Sequence, residues 1–218
     1  LFIMHTIIIS DLHLTRRFEK RKFYFLQKII EDSDQVIING DLWDYYFLNF
    51  DQFVQSRWNQ LFPLLKEKRT VYLYGNHDQK KWCDSRVNEF SVKQGDRFSI
   101  KVNQTSLQIE HGNLIAPAQD DIYPWITDFR STIAIFIILA RRLLQSKAGK
   151  QRLKKFNTIM IEWWKNNRKL NQWLVCGHSH VKEYNSSERF INTGYIGYGI
   201  GQYLKIDDNG FQLIEDRY

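Results

Sequence analysis

The sequence predicts an α/β protein with two sheets in one domain, residues 1–218, and three observations carry that expectation. Residues 5–74 alternate β-branched or aromatic runs with helical patterns in β-α-β-α-β order, which implies parallel pairing. Later short runs, at about 98–102, 105–110, 189–193, 201–206 and 211–215, read as a second, more antiparallel sheet. Between these, residues 120–172 break the β pattern with two helical stretches, so a helical-hairpin insertion is expected within the domain. A chain of 218 residues buries one substantial core, and no internal repeat or low-complexity stretch divides it.

The first strand is residues 5–10, His-Thr-Ile-Ile-Ile-Ser; since strand pattern begins at once, no cleaved leader is expected. A helix over about 18–32 places Phe23, Leu26, Ile29 and Ile30 at helical spacing. Strand 35–39 (Gln-Val-Ile-Ile-Asn), a helix over about 51–67 and strand 70–74 (Thr-Val-Tyr-Leu-Tyr) follow, and residues 173–176 (Trp-Leu-Val-Cys) form a further core strand. Cys83 and Cys176 are too few for a disulfide framework, and Cys176 ends an apolar strand where a small buried thiol fits; a cytoplasmic, reducing setting is expected.

Five short blocks, Asp11-Leu12-His13, Gly40-Asp41-Leu42-Trp43-Asp44, Gly75-Asn76-His77-Asp78, His111-Gly112-Asn113 and Gly177-His178-Ser179-His180, stand out, and four of them hold five of the six histidines. Carboxylate, amide and imidazole groups are the ligands that hold borderline divalent metals. Each block follows a short apolar run, and four of the five are expected beyond the carboxyl ends of strands, where open α/β sheets collect ligands. Taken singly, Gly75-Asn76-His77-Asp78 is as good a turn signal as a catalytic one, and Asp11-Leu12-His13 alone suits a solvated loop. In this order the five blocks resemble the signature of the calcineurin-like metallophosphoesterases, D-x-H, G-D-x-x-D, G-N-H-D, H-G and G-H-x-H, over most of the chain.

The resemblance implies a four-layer α/β/β/α sandwich with two divalent metal ions at the strand ends. It assigns Asp11, His13, Asp41 and His180 to the first ion and Asp41, Asn76, His111 and His178 to the second, with Asp41 bridging. Manganese is the expected metal, with Fe, Zn, Co and Ni as alternatives that such ligands also accept. The ions would lower the pKa of a shared water and clamp the phosphoryl oxygens. By the same resemblance His77 protonates the leaving oxygen and Asp44 orients and charges it; apart from the family, Asp44 also suits a helix N-cap or a solvated loop.

Of 31 Lys and Arg and 24 Asp and Glu, residues 120–172 hold eleven and four, which leaves twenty of each elsewhere, so the whole formal net charge of +7 resides in this segment. Its first stretch, 133–140, is apolar on all sides and too short for a bilayer, which takes about 20 residues. The second, about 153–170, places Leu153, Phe156, Met160, Trp163 and Trp164 near one face with lysines mostly elsewhere. Such a segment suits an anionic membrane surface, a hairpin packed on the sandwich, or a polyanion such as nucleic acid.

Asp11-Leu12-His13-Leu14, Gly40-Asp41-Leu42-Trp43-Asp44, His111-Gly112, Asp120-Asp121, Tyr123 and Phe129-Arg130 ahead of that hairpin resemble the UDP-2,3-diacylglucosamine pyrophosphohydrolase branch. This likeness implies pyrophosphate cleavage of an amphiphilic, lipid-linked nucleotide sugar, a step of lipid A biosynthesis, peripheral on the inner face of the membrane. It implies substrate contacts at Asp121, Tyr123, Arg130, Phe136, Arg141 and Trp163. The chain departs from that branch in carrying His77 where Arg is usual, a feature of the broader phosphatases and phosphodiesterases. A nuclease or nucleotide phosphodiesterase, with Trp163 and Trp164 gripping a polyanion, stays open as a second reading. A non-catalytic membrane-binding scaffold is the third.

Overall fold

The computed structural model describes residues 5–118 and 147–218. Its elements run β1 (Thr6–Ile9), α1 (Lys20–Glu31), β2 (Gln35–Asn39), α2 (Phe50–Val54), α3 (Phe62–Glu67), β3 (Val71–Leu73), β4 (Lys93–Gly95), β5 (Arg97–Val102) and β6 (Thr105–Glu110). Further along the chain come α4 (Lys147–Asn167), β7 (Gln172–Cys176), β8 (Glu183–Asn185), β9 (Phe190–Asn192), β10 (Ile196–Gly197), β11 (Ile200–Asp207) and β12 (Gly210–Arg217). One sheet has the order β10-β11-β1-β2-β3-β4 with β12 on β11, and the other β5-β6-β7-β9-β8.

Strands β1 to β4 pair in parallel, as the alternation with helices requires. The expected membership of the second sheet is corrected at two strands. β11 lies antiparallel to β1, with Thr6 opposite Ile206, and β12 pairs with β11 along its full length, so both belong to the first sheet. A hairpin pattern shows that two strands pair with each other, whereas the sheet they join depends on a register with β1 nearly 200 residues away. The second sheet is mixed: its outer pairs β5/β6 and β8/β9 are antiparallel, its inner pairs β6/β7 and β7/β9 parallel. α4 lies in the β6-to-β7 crossover, and a long crossover is what a parallel pair needs.

Side-chain alternation then builds four layers. Ile7, Ile9, Val36, Ile38 and Tyr72 meet the buried face of α1 (Phe23, Leu26, Ile29 and Ile30) with Phe50, Phe53, Phe62 and Leu65 of α2 and α3. Ile8, Ile37, Val71 and Leu73 face the other way, onto Leu107, Ile109, Val175 and Ile191 of the second sheet. The far face of that sheet sends Leu174, Cys176 and Phe190 against Met160, Ile161 and Trp164 of α4. This is the α/β/β/α sandwich.

The helix expected over 51–67 is broken into α2, a 3-10 turn at Arg57–Leu61 and α3. Asn49 and Gln52 close a capping box at the start of α2, each side chain accepting from the other's backbone N–H (2.9 and 3.1 Å). Ser56 caps the 3-10 turn, and Pro63 occupies the first turn of α3, where its missing N–H is not needed. The helix expected over 153–170 is described from Lys147 and ends at Asn167; its partner in the hairpin, 133–140, lies outside the described residues. Among the described residues no helix is long and apolar enough to cross a membrane.

Candidate metal centre

All five blocks, rather than four, lie beyond the carboxyl ends of strands: β1 delivers Asp11 and His13, β2 delivers Asp41 and Asp44, β3 delivers Asn76 and His77, β6 delivers His111, and β7 delivers His178 and His180. Asn39, the last residue of β2, brings the two sheets' ends together: its Nδ2 donates to the carbonyls of Glu110 (3.1 Å) and Val175 (3.4 Å). The chain must leave each strand abruptly to turn these side chains inward. Asp11, His13, Asp41, His178 and His180 all have left-handed backbones, with φ between 44° and 68°. Each such non-glycine residue costs roughly 1–2 kcal/mol, strain that clusters at functional sites.

The side chains converge. Asp11, His13 and His180 present ligand atoms all within 4.8 Å of one another, as do Asp11, Asp41 and His111, and also His13, Asp41 and His77. Asp41 Oδ2 lies 3.5 Å from His13 Nε2 and 3.4 Å from His111 Nε2, between the two ligand sets that the family likeness implies. On the first side His180 Nε2 is 3.2 Å from Asp11 Oδ1 and 3.0 Å from His13 Nε2. On the second, Asn76 Oδ1 is 3.2 Å from His111 Nε2 and 3.0 Å from His178 Nδ1. The opposite ring nitrogens are engaged by carbonyls, His111 Nδ1 with Asn39 (2.9 Å) and His178 Nε2 with Ala116 (2.9 Å). A ring N–H directed at a carbonyl leaves the other nitrogen's lone pair for a metal, the usual support of a ligating histidine.

The electrostatics ask for positive charge. Asp11 and Asp41 are 1% exposed. Burial alone would raise both carboxyls, yet His180 holds Asp11 below the usual range and His111, with His77 and His13, holds Asp41 well below it. Burial works against charge on His111, but Asp41 beside it raises its pKa to about 10. His178, buried next to His111, is lowered to about 4 and so is neutral at pH 7, the form that ligates. Two buried carboxylates among converging imidazole and amide donors fit divalent cations with mixed N and O ligands.

His77 and Asp44 sit at the edge of this cluster. His77 Nδ1 is 3.2 Å from Asp44 Oδ1, and His13 Nδ1 is 3.5 Å from Asp44 Oδ2, so one carboxylate serves both imidazoles. Asp44 is fully buried, so it is not a solvated loop acid; its Oδ1 accepts from the Tyr46 backbone N–H (3.1 Å) at the head of a turn, and the next helix starts at Phe50 with Asn49 as its cap. Within the same cluster His77 lies close enough to His13 and Asp41 to serve as a ligand as well as an acid.

Sequence reasoning missed the residues that hold this arrangement. Asp78 accepts from the backbone N–H groups of Asp41 (3.0 Å), Gly75 (2.7 Å) and Leu42 (2.7 Å), fastening two blocks together. The carboxylates are held in turn by backbone: Asp41 Oδ1 accepts from His77 N (2.9 Å) and Asp11 from His178 N (3.0 and 3.1 Å). These close approaches explain two glycines. A Cβ on Gly75 would lie 2.2 Å from Asp41 Oδ1, and one on Gly177 2.3 Å from Asp11 Oδ2. Asn157 of α4 accepts from Ser179 Oγ (2.6 Å) and Asn192 Nδ2 (2.9 Å), and Asn192 donates to the Gly177 carbonyl (2.6 Å). Asp78 and Ser179 stand within blocks, Asn157 on a buried helix face and Asn192 at the end of β9; polarity at an expected core position was the available signal for the last two.

Of the expected substrate contacts, Asp121, Tyr123, Arg130, Phe136 and Arg141 lie outside the described residues. Trp163 is half-buried, its ring stacked on Trp164 (6.3 Å, 25°) with the Arg97 guanidinium 5.9 Å above it. Trp164 is 1% exposed in the core between α4 and the second sheet, so this helix packs its apolar face on the sandwich. Phe156 is the aromatic of α4 that touches the site, meeting the His178 ring edge to face at 5.4 Å.

The sequence profile described as calcineurin-like phosphoesterase matches residues 4–190. Among solved structures, a phosphoesterase from E. coli, YfcE, is similar at 16% identity, with a TM-score of 0.50 over 97% of this chain and 92% of that one. An archaeal phosphodiesterase shares 18% identity (TM-score 0.48; 98% and 100% covered), and vacuolar protein sorting 29 from Cryptosporidium parvum 11% (0.48; 100% and 98%). Among curated proteins no sequence matches the chain.

Proposed function

The chain belongs to the calcineurin-like phosphoesterase family, and on that premise we propose that the cluster around Asp41 is a dinuclear metal centre that hydrolyses a phosphodiester or phosphoanhydride. The observation that carries this reading is the position of Asp41 Oδ2, 3.5 Å from His13 and 3.4 Å from His111, each the neighbour of a further donor set. Two divalent cations, manganese in the first instance, supply when bound a nucleophile at neutral pH and positive charge for the phosphoryl oxygens. The protein's own groups do the rest. Asn76, His111 and His178 add no negative charge where an anionic substrate must approach. Asp44 Oδ1, 3.2 Å from His77 Nδ1, orients the ring, which leaves Nε2 to protonate the departing oxygen.

The proposed substrate is an amphiphilic, nucleotide-linked diphosphate of the UDP-2,3-diacylglucosamine kind, met at an anionic membrane surface. Support comes from the likeness of the blocks to that branch and from the exposed lysines of α4, among them Lys154, Lys155 and Lys165. The polyanion reading loses one of its two tryptophans, because Trp164 is committed to the core. Metal analysis and hydrolysis of an aryl phosphodiester test the proposal together. Wild type should hold two equivalents of divalent metal and lose activity on chelation. Asp41→Ala should lose both metals along with activity; two equivalents retained in that variant would overturn the bridging role.

A further inference from the structure

We propose that Tyr198, backed by Tyr195, forms a stacking subsite for a nucleobase, which makes nucleotide-containing phosphates the substrate class of the metal centre. The inference rests on the phosphoesterase reading above. Three rings step outward from the ligands: His180, whose Nε2 meets Asp11 at 3.2 Å, then Tyr195 (6.0 Å from His180, 29° between planes), then Tyr198 (6.4 Å from Tyr195, 67°).

The backbone at Tyr198 makes this more than an incidental surface ring. Ile196 pairs with Gly201 and Gly197 with Ile200, so Tyr198 and Gly199 are the two central residues of the β10–β11 hairpin. Both are left-handed, with φ of 54° and 78°. Asn or Gly is the usual residue at the first of these positions, and a bulky aromatic there is an outlier. The ring that this strained turn displays is 62% exposed, so burial does not repay the strain. The turn is nevertheless tied down, by Tyr218 N to the Gly199 carbonyl (3.0 Å), Tyr195 N to Gln202 Oε1 (3.2 Å) and Ile196 N to the carbonyl of the ligand Asp11 (3.4 Å). A flat ring is thus held at a fixed offset from the metal ligands, and one pentose separates phosphorus from base in a 5′-nucleotide. An acyl chain would need apolar walls, which Gly197 and Gly199 do not offer; stacking needs only a face, and any base has one.

The test uses Tyr198→Asn, which suits the turn and keeps the fold, and Tyr198→Trp, which keeps a flat ring. Binding of UMP, AMP and inorganic phosphate to the manganese-loaded protein is measured by calorimetry, with steady-state kinetics on a nucleoside diphosphate sugar. Tyr198→Asn should lower the ratio of nucleotide to phosphate affinity by about 5- to 100-fold, with Tyr198→Trp restoring it. A ratio unchanged in Tyr198→Asn overturns the inference, as does weakening of a short-chain diacyl phosphate with nucleotide binding intact. The premise fails separately: should wild type hydrolyse no phosphate ester while its nucleotide binding still depends on Tyr198, the hydrolase reading falls and the subsite stands.

Discussion

His77 lies near enough to Asp41 and His13 to be a ligand and near enough to Asp44 to be an acid, and one substitution separates these roles. His77→Ala is expected to keep two equivalents of metal and to slow substrates with poor leaving groups by roughly 10²- to 10⁴-fold, the span of a lost general acid. An aryl ester, whose leaving group needs little protonation, should lose much less. Loss of one metal equivalent would move His77 into the ligand set, and equal slowing of both substrate kinds would make it a positioning residue. At this scale the blocks were legible because Asp, Asn and His at fixed spacing after apolar runs have few other uses. Asp78 was hidden in plain view: its role is to accept three backbone N–H groups from two blocks whose first residues, Gly40 and Gly75, are 35 positions apart in the chain. Only the folded register shows that.

α4 shows how an element serves the site without contributing a ligand. Met160 and Trp164 of its apolar face were visible in the helical spacing, but the sequence left open whether that face met lipid, polyanion or the sandwich; the second sheet covers it, with Ile161 beside them. The same face carries Asn157, fully buried, which pins Ser179 and Asn192 and through them the loop that holds His178 and His180. Asn157→Ala should destabilise the protein by about 1–3 kcal/mol through the buried groups it leaves unpaired. Metal affinity should fall by about tenfold, at the low end of outer-shell effects, although every ligand remains. Thermal melting and metal titration check the two effects; full metal affinity in a destabilised variant would confine Asn157 to packing. Strand pairing was the least legible feature here, since the β11–β12 hairpin reads the same whichever sheet it joins.

The whole molecule places the seven proposed ligand side chains from both sheets at one edge, so the proposed metal centre and the fold are coupled. The unfolded chain scatters these donors over residues 11–180 and binds ions weakly, whereas the folded chain already strains five of their backbones into place. A ligand that binds only the folded state stabilises it by about 2.7 kcal/mol when its free concentration is 100 times its Kd. For a chain of 218 residues, each kcal/mol moves the melting temperature by about 2–4 °C. Each occupied site should therefore raise Tm by roughly 5–10 °C, and the rise should grow with metal concentration instead of saturating at stoichiometry. Chelation should reverse it. Asp41→Ala, without the shared carboxylate, should melt at the same temperature with and without manganese, which separates this linkage from weak binding elsewhere on the surface. Should chelation abolish hydrolysis and leave the wild-type Tm unchanged, the cations would bind only together with substrate, and the cluster would be an incomplete site that the substrate's own phosphoryl oxygens finish.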